Sequence, residues 1–429
     1  MICRMCKSED LCHFLDLGFM PPADEFLRKE QLQYPRTFYP LEVVMCRPCG
    51  LTQLTYVVSP EVLYRHDYPY EASTTRTGRE HFARFASQCA ARFGLGASDL
   101  VIDVGSNVGV LLANFKANGT RILGVDPAAN IVRIAEKNGV PTLNEFFSAD
   151  LAAKIRGEHG KAALVTASNC FAHIDDLDDF ARGLDALLTP QGVFILEAPH
   201  FLELIKDLEY DTIYHEHLSY LSLKPLIPFF RKHGLEVFDV EKQHIHGGSF
   251  RVFVGRRGRH AVGRKVGQVL KAEAEYRLHD EKTLRKFANA VGKNREELAW
   301  LLASLKHKGK RIVAVSAPAK GMTLLNYCKI GAETLDFVTE KSTLKIGRFT
   351  PGSHIPVLPD SELLRLMPDY ALLLAWNFAE EIMTNLKEYE RKGGRFIVPI
   401  PRPRIVAPVL GNGRGRPSQH LRKGTGPNE

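Results

Sequence analysis

An apolar run that breaks into a glycine turn, followed at a fixed distance by an aspartate, constrains this 429-residue chain more than any other feature. Val101-Ile102-Asp103-Val104 leads into Gly105-Ser106-Asn107-Val108-Gly109, and Leu111-Leu112-Ala113-Asn114-Phe115 then carries a helical pattern. A second short strand, Arg121 to Val125, ends on Asp126. This is a β-loop-α-β unit, in which glycines let a ligand approach the backbone and an acidic side chain can hold ribose hydroxyls. The G-x-G-x-x-G of dinucleotide sites is missing. One tight Gly-Ser-Asn-Val-Gly turn suits a sulfonium nucleoside better than a pyrophosphate, so the segment reads as a site for S-adenosylmethionine (SAM). The bland alternative is a strand-turn-helix that holds no ligand.

Cysteine spacing is the second constraint. Cys3-x-x-Cys6 and Cys46-Arg47-Pro48-Cys49-Gly50 are two knuckles, and in an intracellular chain such pairs indicate tetrahedral zinc rather than disulfides, with four free thiols or an iron–sulfur cluster as the alternatives. Four thiolates from Cys3, Cys6, Cys46 and Cys49 close the coordination shell, which makes the metal structural. Cys12 and His13 fall outside the spacing, while Cys89, Cys170 and Cys328 lie in apolar contexts that suit packing.

The length exceeds that of a usual single domain. Residues 1–66 hold both knuckles and strand-like runs such as Leu41 to Met45. Strands are expected at 100–104, 121–125, 163–167 and 193–197, with helical patterns between them such as Leu177 to Leu188; this alternation is the mark of a parallel sheet covered by helices. A helical zone, Val266 to Lys306, bridges to a second strand-turn-helix. There Arg311 to Val315 leads into Ser316-Ala317-Pro318-Ala319-Lys320-Gly321, with further strands expected at 335–339, 370–375 and 396–398. A phosphate or nucleotide group can sit over the Ala317–Gly321 turn at a helix N-terminus; a turn that binds nothing is the equal alternative. The expected division is 1–66, 67–260, 261–410 and a disordered basic tail over 411–429.

The net charge of +8 collects at Arg256, Arg257, Arg259, Arg264 and Lys265, and in the tail at Arg414, Arg416, Arg422 and Lys423. Such an excess serves nucleic acid, anionic lipid or a diphosphate substrate, or is simply a solvated linker and tail. The N-terminus has no apolar signal region, and runs such as Tyr370 to Trp376 are too short to span a bilayer. The expectation is a soluble cytoplasmic protein.

Tyr210-Asp211-Thr212-Ile213-Tyr214-His215-Glu216-His217-Leu218-Ser219-Tyr220 concentrates titratable groups. The histidines are two apart, so this is not the H-E-x-x-H of zinc proteases. In an extended segment residues 215 and 217 would point one way, and 214 and 216 the other. A histidine beside a carboxylate suits general-base work near neutral pH, against histidines merely satisfied within a structured loop. A helix from Leu223 to His233 follows, with Ser222 as its expected N-cap.

Taken in order, these motifs resemble one family: SAM-dependent sugar C-methyltransferases that methylate C-3 of nucleotide-linked 4-keto-deoxysugars. The resemblance runs to about residue 405. It includes the cysteine segment, Leu17 to Leu27, Tyr68-Pro69-Tyr70, Asp103 to Gly109, Asn169 to His173 and Thr212 to Ser219. His246-Gly247-Gly248-Ser249, Ala317 to Tyr327, Lys345 to Pro356 and Ala375 to Phe378 complete it. Val108 stands where such enzymes commonly have Asp, Asp126 where Glu is frequent, and Glu340 where Asp is common.

The resemblance implies an α/β chain of three parts: a small zinc-binding domain, a class I SAM-methyltransferase Rossmann-like domain, and a second Rossmann-like domain for the nucleotide sugar. It implies His217 as general base, Tyr214 and Glu216 orienting sugar or base, and Tyr68 and His173 reaching in from preceding loops. Tyr68 as a packed aromatic and His173 as a cap for the helix starting near Asp175 are the structural alternatives. Asp103, Gly105, Ser106, Asn107, Gly109, Asp126 and Asn169 would hold SAM. The partner would be a 4-keto-deoxysugar carried on thymidine or guanosine diphosphate, met by a monomer without nucleic acid or membrane.

Two rival classes differ in particular residues. A zinc-ribbon nucleic-acid methyltransferase would interleave aromatics with its basic residues, yet Arg256 to Lys265 has almost none, and Glu197-Ala198-Pro199-His200 stands where base-modifying enzymes often carry Asn/Asp-Pro-Pro-aromatic. A non-catalytic protein keeping only the SAM fold would have no reason to keep Tyr214-His215-Glu216-His217.

Overall fold

Strand Leu100–Val104 is buried at every position, as a strand with helices on both faces must be. In the computed structural model, which describes residues 1–407 other than 66, 73, 74 and 246, it lies near the middle of a seven-stranded sheet. The order is Leu235–Gln243, Ser249–Arg256, Leu188–Pro199, Ala162–Ser168, Leu100–Val104, Arg121–Val125, Thr142–Leu143. Ser249–Arg256 runs antiparallel to both neighbours and the remaining pairings are parallel. From Leu100–Val104 the chain leaves first to Arg121–Val125 and later to Ala162–Ser168, on opposite sides. That reversal of order opens a crevice at the carboxyl ends of the strands, where doubly wound sheets bind ligands. The expected strands at 100–104 and 121–125 match residue for residue. The expected tail at 411–429, and His246 of the 246–249 motif, lie outside the described residues.

A four-stranded antiparallel sheet carries the cysteines, in the order Leu11–Met20, Tyr39–Cys46, Thr52–Leu54, Ser219–Tyr220. Its fourth strand is supplied by the histidine-rich segment: Tyr220 pairs with Thr52 and Ser219 with Gln53. The end of that segment is therefore part of the cysteine-bearing sheet.

The helical bridge is two helices, Arg264–Glu275 and Glu281–His307, broken where Arg277 takes a positive φ and Asp280 caps the second through Lys282 N. Glu273, buried on the first, changes the expected capping of Leu223–Lys232. Its carboxylate accepts from Leu223 N (2.6 Å) and Lys224 N (3.1 Å), whereas the Ser222 hydroxyl pairs with His279 Nε2 at 2.9 Å. A full carboxylate at a helix N-terminus outcompetes a hydroxyl there.

The third sheet has six strands in the order Val357–Pro359, Val338–Glu340, Ile312–Val315, Tyr370–Leu373, Arg395–Val398, Arg404–Ile405, antiparallel only at the last pair. One apolar core joins it to the four-stranded sheet and the long helix, with Leu15, Val43, Ile213, Leu298 and Leu325 in the same cluster. Among the described residues no helix is long and apolar enough to cross a membrane.

Candidate active site and metal centre

The knuckles converge. One donor atom each from Cys3, Cys6, Cys46 and Cys49 lies within 4.8 Å of the others. The closest sulfur pairs are Cys3 with Cys49 at 3.5 Å and Cys6 with Cys46 at 3.4 Å. Zinc–sulfur bonds of about 2.3 Å at tetrahedral angles place sulfurs about 3.8 Å apart, so four thiolates of this spacing fit the ion. Backbone amides face the sulfurs, from Cys6 to Cys3 Sγ (3.5 Å) and from Leu51 to Cys49 Sγ (3.4 Å). Gly50 makes the second knuckle possible: φ is +86°, and a Cβ there would lie 2.7 Å from the His279 ring.

At the carboxyl ends of the central strands lies a cavity of about 430 Å³, lined by Asp103, Gly105, Ser106, Asn107, Asp126, Phe146, Asn169 and Cys170 among others. Asp126 accepts from Asn107 N (2.9 Å) on one oxygen and from Ala128 N (3.0 Å) on the other. It thus holds the glycine turn against the second strand as well as facing the cavity. Asn107, at φ +50°, ties the turn to the Tyr68–Ala72 stretch through Ala72 N (2.7 Å) and Tyr70 O (3.0 Å). Asp103 accepts from Thr166 Oγ1 at 2.6 Å, and burial pushes its carboxyl up to about 7. The Ser106 side chain turns back over Gly124, where a Cβ would sit 2.5 Å from its oxygen. Gly109 is off the cavity wall; it starts helix Val110–Ala117 and leaves room for Val140. Val108 packs with Ala128 and Ile131, which accounts for an apolar residue at that place. Ser168 Oγ and Asn169 Oδ1 are buried without hydrogen-bond partners at the cavity edge. Orphaned polar atoms beside a glycine turn and an accepting carboxylate are a hydrogen-bonding set that fits SAM.

A second cavity of about 470 Å³ adjoins the first, and Tyr68, Tyr70, Asn169 and His173 line both. Tyr214, Glu216 and His217 line it as well. The segment is a turn rather than extended, because His217 N donates to Tyr214 O at 2.9 Å. Side chains three apart therefore meet, and Tyr214 OH lies 2.8 Å from His217 Nε2. His215 leaves the site and packs edge-on to Tyr39, where burial lowers it to about 4. This corrects the expectation that residues 215 and 217 share a face.

His217 Nδ1 sits 2.8 Å from the Thr212 carbonyl. A carbonyl oxygen only accepts, so Nδ1 carries a proton, and in the tautomer protonated there alone the lone pair lies at Nε2. His173 lies 5.1 Å from His217 between ring centres and stacks on Tyr64. Burial, and then His217, hold it well below the usual imidazole range, so it stays neutral. Its Nε2 has no partner, whereas Asp176 caps the following helix through Asp179 N. Burial and then the Asp24 carboxylate push Glu216 up to about 8, with Lys345 pulling the other way.

Three parts of the chain hold this segment. Thr323 Oγ1 donates to Ile213 O (3.1 Å), Trp376 Nε1 to Asp211 (2.7 Å), and Tyr210 OH to Asn294 (2.8 Å), while Leu54 N donates to Leu218 O (3.0 Å).

Three family models match successive stretches of the chain: a zinc binding domain over residues 3–64, a methyltransferase domain over 75–240, and a C-methyltransferase C-terminal domain over 244–401. The C-methyltransferase NovU of Streptomyces niveus is 40% identical over 406 residues, which is 94% of this chain and 96% of that protein. The chain belongs to this C-methyltransferase family. Among solved structures, a SAM-dependent methyltransferase from Clostridium acetobutylicum is 12% identical with a TM-score of 0.34, covering 42% of this chain and 92% of that one. Magnesium protoporphyrin IX methyltransferase from Synechocystis with bound SAH is 16% identical at a TM-score of 0.33, covering 42% and 82%.

The C-methyltransferase takes SAM as methyl donor and zinc at its four cysteines. Asp126→Ala removes a carboxylate that braces the glycine turn and, on our reading, binds the ribose. A charge-assisted hydrogen bond of about 1.5–3 kcal/mol corresponds to about 10- to 150-fold weaker SAM binding. Unchanged affinity by calorimetry would mean that this acid does not touch the ribose.

Several lining residues carry no motif of their own. Asp24, in the loop after the first strand, faces Glu216 and lies 3.4 Å from Lys345. Lys320 sits 4.2 Å over the Trp376 ring and 3.8 Å from Asp211. Their signal was a charged residue within largely apolar shared stretches, Leu17 to Leu27 and Ala317 to Tyr327.

Proposed function

We propose that this C-methyltransferase adds its methyl group to C-3 of a nucleotide-diphosphate-linked 4-keto-deoxysugar, with His217 as the base. The observation that carries the reading is the shared wall of the two cavities. Asn169, His173 and Tyr68 belong to both, so the mouth of the SAM crevice opens onto the His217 imidazole. Carbon methylation needs this arrangement, because a proton must leave the carbon before it can attack. A ketone at C-4 acidifies the C-3 hydrogen enough for an imidazole to take it.

His217 Nε2 removes the proton, with Nδ1 anchored on Thr212 O throughout. Tyr214 OH, now on Nε2, shifts to a sugar oxygen as the substrate enters. Glu216, a neutral carboxylic acid at pH 7, donates to the C-4 oxygen where enolate charge develops. When bound, SAM would supply the electrophilic methyl and keep the electron pair of the broken S–CH3 bond as a neutral thioether. The ketone reforms as the new C–C bond is made, and the His217 imidazolium returns its proton to water.

The third sheet supports a nucleotide-linked substrate. Ser316, Pro318, Ala319 and Lys320 line the second cavity where helix Ala319–Tyr327 begins. Glu340 ends the adjacent strand and accepts from Ala317 N at 2.8 Å, repeating the Asp126 arrangement. Incubation with SAM and a panel of thymidine- and guanosine-diphosphate sugars, with and without a 4-keto group, tests the reading by mass spectrometry. Methylated product from the 4-keto members alone is expected. Methylation of sugars lacking the ketone contradicts it.

Activity should also fall on the alkaline side. As pH rises through about 8 Glu216 loses its proton and ceases to donate, so turnover declines there. Glu216→Gln keeps a neutral donor and should remove that limb from the pH profile. Persistence of the limb assigns it to another group.

A further inference from the structure

Arg4 lies between the two cysteines of the first knuckle and has no role in holding metal. Its side chain is only 7% exposed, and its bonds go elsewhere. Nη1 donates to Leu54 O at 3.1 Å and to Leu218 O at 3.2 Å, and Nε donates to Asp175 Oδ1 at 2.9 Å. Its own backbone N–H donates to Gln53 Oε1 at 2.9 Å, and Gln53 Nε2 returns to Ile2 O at 3.1 Å. Leu218 directly follows His217, and Asp175 is two residues beyond His173. One guanidinium therefore spans the two segments that carry the neighbouring histidines, and its backbone is fixed by the knuckle.

We propose that Arg4 is a positioning residue that sets the His173–His217 pair through Leu218 O and Asp175, so that the metal knuckle shapes the catalytic centre as well as the N-terminal fold. The fork of donors is what the position needs. A lysine keeps the charge but not the planar set of N–H groups aimed at a carbonyl pair and a carboxylate. The catalytic consequence rests on His217 being the base, whereas the geometric one does not.

The test begins without substrate. In the zinc-loaded, ligand-free chain, imidazole NMR signals of His173 and His217 are assigned with His173→Asn and His217→Asn. Arg4→Lys should shift both signals while zinc stoichiometry and SAM affinity stay at wild-type values. Asp175→Asn, away from the knuckle, should shift the His173 signal and serves as the deciding variant if Arg4→Lys does not fold. In turnover, Arg4→Lys should lower kcat about tenfold or more with KM for SAM unchanged, the scale expected of a sub-ångström misplacement. Shifted signals with unchanged kcat would leave the positioning intact and sink the base assignment instead. Unshifted signals in the folded variants, or shifts that appear only with zinc loss, overturn the proposal.

Discussion

His217→Asn should lose turnover by on the order of 10²-fold or more, the cost of a missing general base. Binding of SAM should survive, because no residue of the Tyr214–His217 turn lines that cavity. Asparagine keeps a polar group near Tyr214 OH and Thr212 O, so the effect reports on the lone pair at Nε2 more than on packing. His215→Asn is the internal control. It packs against Tyr39 outside the cavity, so its loss should be felt in stability and far less in rate. Steady-state kinetics and calorimetry on the same preparations separate the two. Full activity in His217→Asn would move the base to His173, whose Nε2 is buried and without a partner, or to Tyr68.

Loss of the metal should be the largest effect on the fold. The purified chain should carry close to one zinc per molecule, and Cys46→Ala should release it. Structural zinc sites in small finger peptides bind with about 10–16 kcal/mol, and that binding is folding free energy. Cys46 ends the strand that pairs with both Leu11–Met20 and Thr52–Leu54, and the latter pairs with Ser219–Tyr220. The damage should therefore spread beyond the knuckles and lower Tm by about 10 °C or more. Metal-free protein with an unchanged melting curve would show that the four thiols pack without an ion.

What was legible in the sequence was local. The glycine turn and Asp126 belong to one unit whose strand and helix periods announce themselves within a short stretch, so fold and cofactor site could be read together. The cysteine pairs were legible because ligand spacing is set by the metal, not by the fold. Contacts without a local period were not legible. Tyr214 and His217 meet because the backbone turns, and the alternation expected of an extended segment does not apply. The pairing of Ser219 and Tyr220 with Gln53 and Thr52 involves two residues from a distant segment, too short for any strand pattern. Glu273 caps a helix on another element, far in sequence from the adjacent Ser222. Asp24 raises Glu216 only because three parts of the chain converge on one cavity. Each of these is a tertiary event, written in residues whose neighbours in sequence do not reveal it.

The central claim is that the methyl group goes to a carbon that His217 has first deprotonated. It is tested most directly with a 4-keto nucleotide sugar carrying deuterium at C-3, incubated with SAM and read by mass spectrometry of the product. A product one methyl group heavier that has lost the C-3 deuterium, with neither change in His217→Asn, is the predicted result. A methylated product that retains the deuterium would put the methyl on another atom and contradict the account.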